Sequence, residues 1–267
     1  MTSSLLNLGF TSIDDKVVLL SGASSGIGRA TARLLARFGA RVAVMARSGS
    51  KLESLAAEVI GDGHPPLLVI RGDVQEETDC IRAVGECVRF FGRIDVLINN
   101  AAIGFPVAIE SCSTADFRRT MATNLDGVFF LTRAVLPVMR AQRTGHIIMI
   151  SSDAGAQGSG VAPIYSTSKH ALEGFTASLR EQLDSMHAAH VHIRLTNIWP
   201  GTIDSDYWGT RDVPRHTFMS CAEMACFVVQ VVACQACANV EEIRVRQFRF
   251  DAPEEDTAGT RIERPGR

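Results

Sequence analysis

The sequence predicts an α/β fold: a single-domain, doubly wound, parallel seven-stranded sheet with helices on both faces. Three observations carry this. Short β-branched runs alternate with longer segments of helical period, and the strands are apolar throughout rather than at every second position. A strand covered by helices on both faces needs such a continuous apolar run. The third observation is the segment Ser21 to Gly28, SGASSGIG, which turns from the first apolar run directly into a helix. Right-handed crossovers then leave few ways to connect the elements.

Taken in order, strands are expected near 16–21, 41–46, 67–71, 94–98, 146–151, 191–198 and 240–246. Helices are expected near 26–38, 48–60, 76–91, 114–141, 163–188 and 220–236. Residues 1–13 are read as an N-terminal arm, and 14–250 as one dinucleotide-binding catalytic domain. The segment 202–219 is read as a mobile flap. From Asp251 the chain is charged and contains Pro and Gly, so 251–267 is expected to be a disordered tail.

The 267 residues give ample length for a substantial core, and a net charge of −2 advertises neither nucleic acid nor anionic membrane. No apolar run approaches the roughly twenty residues that span a bilayer. The opening MTSSLLNLGF lacks a signal-peptide pattern. Seven cysteines fit a reduced compartment, and cytoplasmic localisation is expected. Cys234 and Cys237 form a lone C-x-x-C on an apolar helical run and are read as core cysteines. His187, His190 and His192 are read as surface histidines at a helix end, so no metal site is expected.

The glycine turn carries the first chemistry. Gly22 allows a tight turn, Gly26 allows a pyrophosphate to approach, and Gly28 lets helix and strand touch. Further polar residues fall where the strands' carboxyl ends meet. Asp73 follows the third strand, Asn99, Asn100 and Ala101 the fourth, and Ser151 and Ser152 the fifth. Tyr165 and Lys169 lie four apart on the next helix and share a face.

Over residues 14–246 the chain resembles the short-chain dehydrogenase/reductase family, a Rossmann-type fold. The match rests on SGASSGIG, Asp73, NNAA at 99–102, Asn124, Ser152, the Tyr165 and Lys169 of YSTSK, and Pro200–Gly201. The resemblance implies a nicotinamide-dependent oxidoreductase that interconverts a carbonyl and an alcohol. It implies catalysis by Asn124, Ser152, Tyr165 and Lys169: Tyr165 moves the proton, Lys169 favours its phenolate and holds the nicotinamide ribose, and Ser152 orients the substrate oxygen. Asn124 would hold a relay water. It also implies cofactor contacts at Gly22, Ser24, Ser25, Gly26, Ile27, Gly28, Arg47, Ser48, Asp73, Val74, Asn100, Ala101, Pro200, Gly201 and Ile203, with Thr202 on the carboxamide edge. Two departures stand out. Ser21 replaces a threonine, and Ala102 replaces a glycine, for which Gly104 is expected to restore flexibility.

The second strand ends in Ala46 and Arg47, where an acid would bind both ribose hydroxyls of NAD(H). A forked guanidinium instead matches a 2′-phosphate, so NADP(H) is favoured, with NAD(H) possible. Candidate substrate walls are Phe105, Val161, Ile164, Tyr207 and Trp208; the small carbonyl or alcohol itself stays open. So do a nicotinamide-sensing binding protein and a lyase or epimerase that uses bound nicotinamide internally. Apolar residues on two faces of the long helices (Val128, Phe129, Leu131, Val135 and Val138; Leu172, Phe175, Leu179 and Leu183) predict a homodimer or homotetramer.

Overall fold

A computed structural model describes residues 11–235 and 238–247. The strands are β1 (Val17–Ser21), β2 (Arg41–Ala46), β3 (Leu68–Arg71), β4 (Val96–Asn99), β5 (Thr144–Ile150), β6 (His192–Pro200) and, after a separate small pair, β9 (Glu242–Val245). They form one parallel sheet in the order β3-β2-β1-β4-β5-β6-β9. The small pair is β7 (Ile203–Asp204) with β8 (Met219–Ser220). The helices are α1 (Gly26–Arg37), α2 (Gly49–Gly61), α3 (Glu77–Phe91), α4 (Thr114–Met121), α5 (Gly127–Gln142), α6 (Pro163–Ser185) and α7 (Cys221–Ala233).

Strand alternation sorts the core into two layers. Val18 and Leu20 of β1 join Leu35 of α1, Leu52 and Leu55 of α2, and Val228 of α7. Val17 and Leu19 point the other way, toward Val84 of α3, Leu131 and Val135 of α5, and Leu172 and Leu179 of α6. Both faces of the sheet are thus dry, which is why the strands read as unbroken apolar runs. The strand order reverses between β1 and β4. At that point a crevice opens beyond the strands' carboxyl ends, and it is lined from both halves of the sheet.

Three segments differ from the sequence expectation. The helix expected over 114–141 is two helices joined by a π-helical turn at Ala122–Asp126. The extra residue there swings Thr123 and Asn124 into the interior, and the Thr120 and Thr123 hydroxyls donate to the carbonyls of Asp116 and Arg119, four residues back. The helix expected to reach 188 ends at Ser185, passes through a 3-10 turn and stops at His190, whose φ is 57°. The segment 202–219 has its own bracing. β7 and β8 pair, the Trp208 indole donates to the Ile203 carbonyl at 2.9 Å, and Arg215 pairs with Asp204 at 2.9 Å.

Most of the apolar surface expected to face a partner is instead buried within the chain. Val128, Leu131, Val135, Leu172, Leu179 and Leu183 are core residues, because α5 and α6 pack on the sheet and each other. Phe129 stays exposed, and Val138 and Phe175 are half-buried. Residues 1–10 of the expected arm, the tail 251–267 and Cys237 lie outside the described residues. Cys234 is half-buried at the end of α7, and His187, His190 and His192 are exposed. Among the described residues no group of three or more His, Cys, Asp or Glu is arranged to hold a metal, and no helix is long and apolar enough to cross a membrane.

Candidate active site

The crevice is a cleft of about 1040 Å³. Its floor at one end is the turn between β1 and α1. Gly22 has φ +71°, and a Cβ there would lie 2.7 Å from the Ala101 Cα; at Gly28 a Cβ would lie 2.4 Å from the Gly22 carbonyl oxygen. A side chain at Gly22 would collide with the segment after β4, and one at Gly28 would force helix and strand apart. The Asn100 amide donates to the carbonyls of Ser21 and Gly22 at 3.0 and 3.2 Å, and Ser21 Oγ accepts from the main-chain N–H groups of Asn100 and Ala101, both at 3.1 Å. Replacing the family's threonine by Ser21 therefore keeps the hydroxyl that does this fastening. α1 has neither a side-chain cap at Ser25 nor an acidic residue in its first turn, so its N-terminal amides face the cleft. That arrangement fits a pyrophosphate.

At the far end of this cradle Arg47 Nη1 lies 3.8 Å from Asp73 Oδ2, an exposed and therefore weak pair. Beside it a second cavity, about 560 Å³, is lined by Arg47, Ser48, Gly49, Ser50, Glu53, Val69 and Arg71. Ser24, Ser25, Ile27, Val74, Pro200, Gly201, Thr202 and Ile203 all line the main cleft, as does Lys51. The Thr202 N–H donates to Gln247 Oε1 at 3.2 Å, so the residues after β9 brace this turn.

The other end of the cleft gathers the polar groups. Tyr165 and Lys169 stand on the first two turns of α6, and Ser152 follows β5. Ser152 and Tyr165 both line this end of the cleft. Lys169 is buried, donates from Nζ to the Ile150 carbonyl at 2.8 Å and lies 5.8 Å from the centre of the Tyr165 ring. Burial pushes the Tyr165 phenol up to about 12, opposed by Ser152 and reinforced by Tyr207. Burial also pushes Lys169 down to about 8, opposed by Glu173. Here desolvation outweighs the expected pull of an ammonium on the phenol. Below about pH 8 the pair is an acid beside a cation.

Asn124, on the π turn, is a clamp. Its Oδ1 accepts from the Ile103 N–H at 2.8 Å, and its Nδ2 donates to the Ile103 carbonyl at 2.8 Å and to Ser168 Oγ at 2.9 Å. Ser168 in turn donates to the Tyr165 carbonyl at 2.7 Å. Both amide protons are thus committed, and one Oδ1 lone pair is left.

A model of the family described as short chain dehydrogenase matches residues 16–214. The chain belongs to the short-chain dehydrogenase family. It is 32% identical over 243 residues to sepiapterin reductase of Chlorobaculum tepidum, covering 88% of this chain and 97% of that one. It is 38% identical over 191 residues to an uncharacterised oxidoreductase of Thermotoga maritima, covering 72% and 73%. Among solved structures, a metagenomic short-chain oxidoreductase in complex with NADP matches at 28% identity and TM-score 0.76, over 90% of this chain and all of that one. An alcohol dehydrogenase of the archaeon Thermococcus sibiricus, complexed with 5-hydroxy-NADP, matches at 25% identity and TM-score 0.77, over 94% and 100%.

In this short-chain dehydrogenase the expected substrate walls divide. Phe105, Val161, Tyr207 and Trp208 line the cleft. Val161 is 71% exposed and forms only its rim. Ile164 does not line it, because a helical neighbour of Tyr165 points about 100° away. Ala102 replaces the family's glycine without strain: the described non-glycine residues at positive φ are Asp15, Arg143 and His190. Gly104 supplies room rather than flexibility. A Cβ there would lie 2.6 Å from Tyr165 Cδ2 and 2.7 Å from Tyr207 Cε2.

Arg71 and Glu173 are candidate functional residues that the sequence reading missed. Arg71 ends a strand that looked purely structural, and only the fold brings it beside Arg47. Glu173 has a signal in its spacing, one helical turn beyond Lys169.

Proposed function

We propose that the protein is an NADP(H)-dependent oxidoreductase interconverting a carbonyl and a secondary alcohol by hydride transfer, with Tyr165 as general acid and base. The observation that carries this is the gathering of Ser152, Tyr165 and Lys169 at one end of a cleft whose other end is a pyrophosphate cradle. The preference for the phosphorylated cofactor is supported by Arg47 and Arg71 around one cavity, and by the NADP held by the metagenomic relative.

When bound, the nicotinamide supplies or accepts the hydride. Gly22, Gly26, Gly28 and the N-terminus of α1 hold the pyrophosphate; Asp73 takes the adenine edge; Thr202 and Ile203 take the carboxamide. In reduction, Ser152 and Tyr165 donate hydrogen bonds to the carbonyl oxygen and polarise it. Tyr165 then gives its proton to that oxygen as the carbon becomes tetrahedral. The resulting phenolate is stabilised by Lys169, and Asn124 holds Tyr165 in register through Ser168 while its free Oδ1 lone pair receives the relay water. Oxidation runs the same steps backward. Phe105, Tyr207 and Trp208 supply the apolar walls. We place the protein in the cytoplasm, a location supported by its cysteine usage, and expect a homo-oligomer.

The test is a panel of ketones and alcohols with NADPH or NADP⁺, followed at the reduced-nicotinamide absorbance. Tyr165→Phe should bind NADPH normally and lose roughly a hundredfold or more in turnover. No net absorbance change with any carbonyl, or near-normal turnover in the variant, rejects the reading.

A further inference from the structure

We propose that Glu173 is a positioning residue of this active site: its carboxylate fastens β5 and β6 to α6 and gives the Lys169 ammonium a counter-charge. The proposal rests on the reading of Tyr165 and Lys169 above.

Glu173 lies one turn beyond Lys169 on α6 and is half-buried. Its Oε1 accepts from the Ser151 hydroxyl, and its Oε2 accepts from Asn197 Nδ2 at 2.5 Å. Ser151 and Asn197 are themselves buried, at the end of β5 and within β6. Ser151 directly precedes Ser152. The turn after Ser152 also closes on this cluster, since a Cβ at Gly155 would lie 3.1 Å from Glu173 Oε1 and 3.2 Å from Ser151 Oγ. One carboxylate therefore ties α6 to β6 and to the residue just before Ser152.

Both hydrogen-bond donors are neutral, so neither balances the charge. The charges acting on Glu173 are Lys169 on its own helix and Glu242 on β9. The charge acting on Lys169 is Glu173, and its direct partner, the Ile150 carbonyl, is neutral. Burial raises Glu173 and lowers Lys169, and each opposes that shift in the other. A glutamine would meet the same hydrogen-bonding need without the cost of a half-buried charge. What glutamate adds is the charge, one helical turn beyond Lys169 and acting on it through space rather than as a direct ion pair.

Glu173→Gln removes the charge and keeps the contacts. The amide oxygen still accepts from Ser151, and a flip of Asn197 presents its Oδ1, which has no partner in this structure, to the new Nε2. The experiment measures kcat/KM for NADPH-dependent ketone reduction across about pH 6 to 10 in wild type, Glu173→Gln and Glu173→Asp, with the unfolding temperature of each. Without the carboxylate both Lys169 and Tyr165 lose protons more readily. The alkaline limb of Glu173→Gln should move down by about half a unit to one unit. Glu173→Asp should keep the wild-type limb, and NADPH fluorescence should show unchanged cofactor binding below it.

Coincident limbs in wild type and Glu173→Gln overturn the proposal, whatever the unfolding temperatures. If Glu173→Gln fails to fold, Ser151→Ala decides. The loss of one donor raises Glu173 further, so activity should fall off on the acid side at a higher pH, and an unmoved acid limb overturns the proposal. A wild type without Tyr165-dependent reduction overturns the functional reading and this inference together, whereas the preceding outcomes overturn this inference alone.

Discussion

The Tyr207 ring leans on the Tyr165 ring, with centroids 5.5 Å apart and planes at 49°. Gly104 touches both, and a Cβ there would lie 2.6 Å from one and 2.7 Å from the other. The phenol proposed as general acid thus takes its position from a glycine and from the segment after β7. Gly104→Ala must push one ring aside, and a misplacement on that scale costs roughly ten- to a hundredfold in kcat/KM. Tyr207→Ala vacates the space, so the double variant should recover part of that loss. Strictly additive losses in a double-mutant cycle would show that the three residues do not act as one contact.

Arg47 and Arg71 face one cavity from the ends of β2 and β3. Each guanidinium can engage a phosphate through charge-assisted hydrogen bonds of about 1.5–3 kcal/mol, or roughly tenfold to a hundredfold in affinity. Arg47→Ala should weaken NADPH by that factor and leave NADH nearly unchanged. Arg71→Ala should act in the same direction, with a smaller effect because Arg71 is farther from the main cleft, which it does not line. Titration of both cofactors by fluorescence is the check; equal wild-type affinities for NADPH and NADH would remove the argument.

The sheet was legible because strands buried on both faces leave unbroken apolar runs, and Val17 to Leu20 need no partner to be recognised. The glycine turn and the Tyr165–Lys169 pair were legible because each lies within one local segment. The π turn at Ala122–Asp126 was not, since its cause is tertiary: Asn124 turns inward to meet Ile103 and Ser168, residues far away in sequence. Gly104 was misjudged for a similar reason, because its role is set by two rings that only the fold brings to it. The apolar count on α5 and α6 overstated the unsatisfied surface, since both helices are enclosed by neighbours as well as by the sheet.

His146 makes stability depend on pH far from the active site. It is buried at the start of β5, and Thr196 Oγ1 lies 2.8 Å from its Nε2. Thr196 donates its own proton to the Val240 carbonyl, so His146 Nε2 must carry the proton of the first contact, and Nδ1 has no partner. Burial first, then Arg194 and Lys16, lower its pKa well below the ordinary value of 6.5. The unfolded chain therefore takes up a proton that the folded protein refuses. This stability is fully present above about pH 6.5 and is lost as pH falls, by up to about 1.4 kcal/mol per unit. His146→Gln keeps a donor near Nε2 and does not titrate. Its deficit relative to wild type in denaturant unfolding should shrink between about pH 7 and 5; a constant deficit would reject the assignment.

Exposed aromatic rings, one on α4 and one on α5, are the best remaining support for a homo-oligomer. Phe117 is 42% exposed and Phe129 is 40% exposed, and the Phe129 ring packs edge-on against Phe175 at 6.3 Å. Arg133 stacks over Phe129 at 5.0 Å and pairs with Glu77, so that ring has a polar rim that a second copy can engage. Rings kept half in water cost solvation that contact with another copy recovers, at about 25 cal/mol per Å² of apolar surface covered. Helices presenting the same rings about a two-fold axis would make that contact self-complementary. Light scattering at micromolar concentration should give two or four chains. Phe129→Glu, which changes no core residue, should shift the population toward single chains with little loss of far-UV helical signal. A wild type at the single-chain mass, or a Phe129→Glu variant that assembles as tightly as wild type, would move the interface elsewhere or remove it.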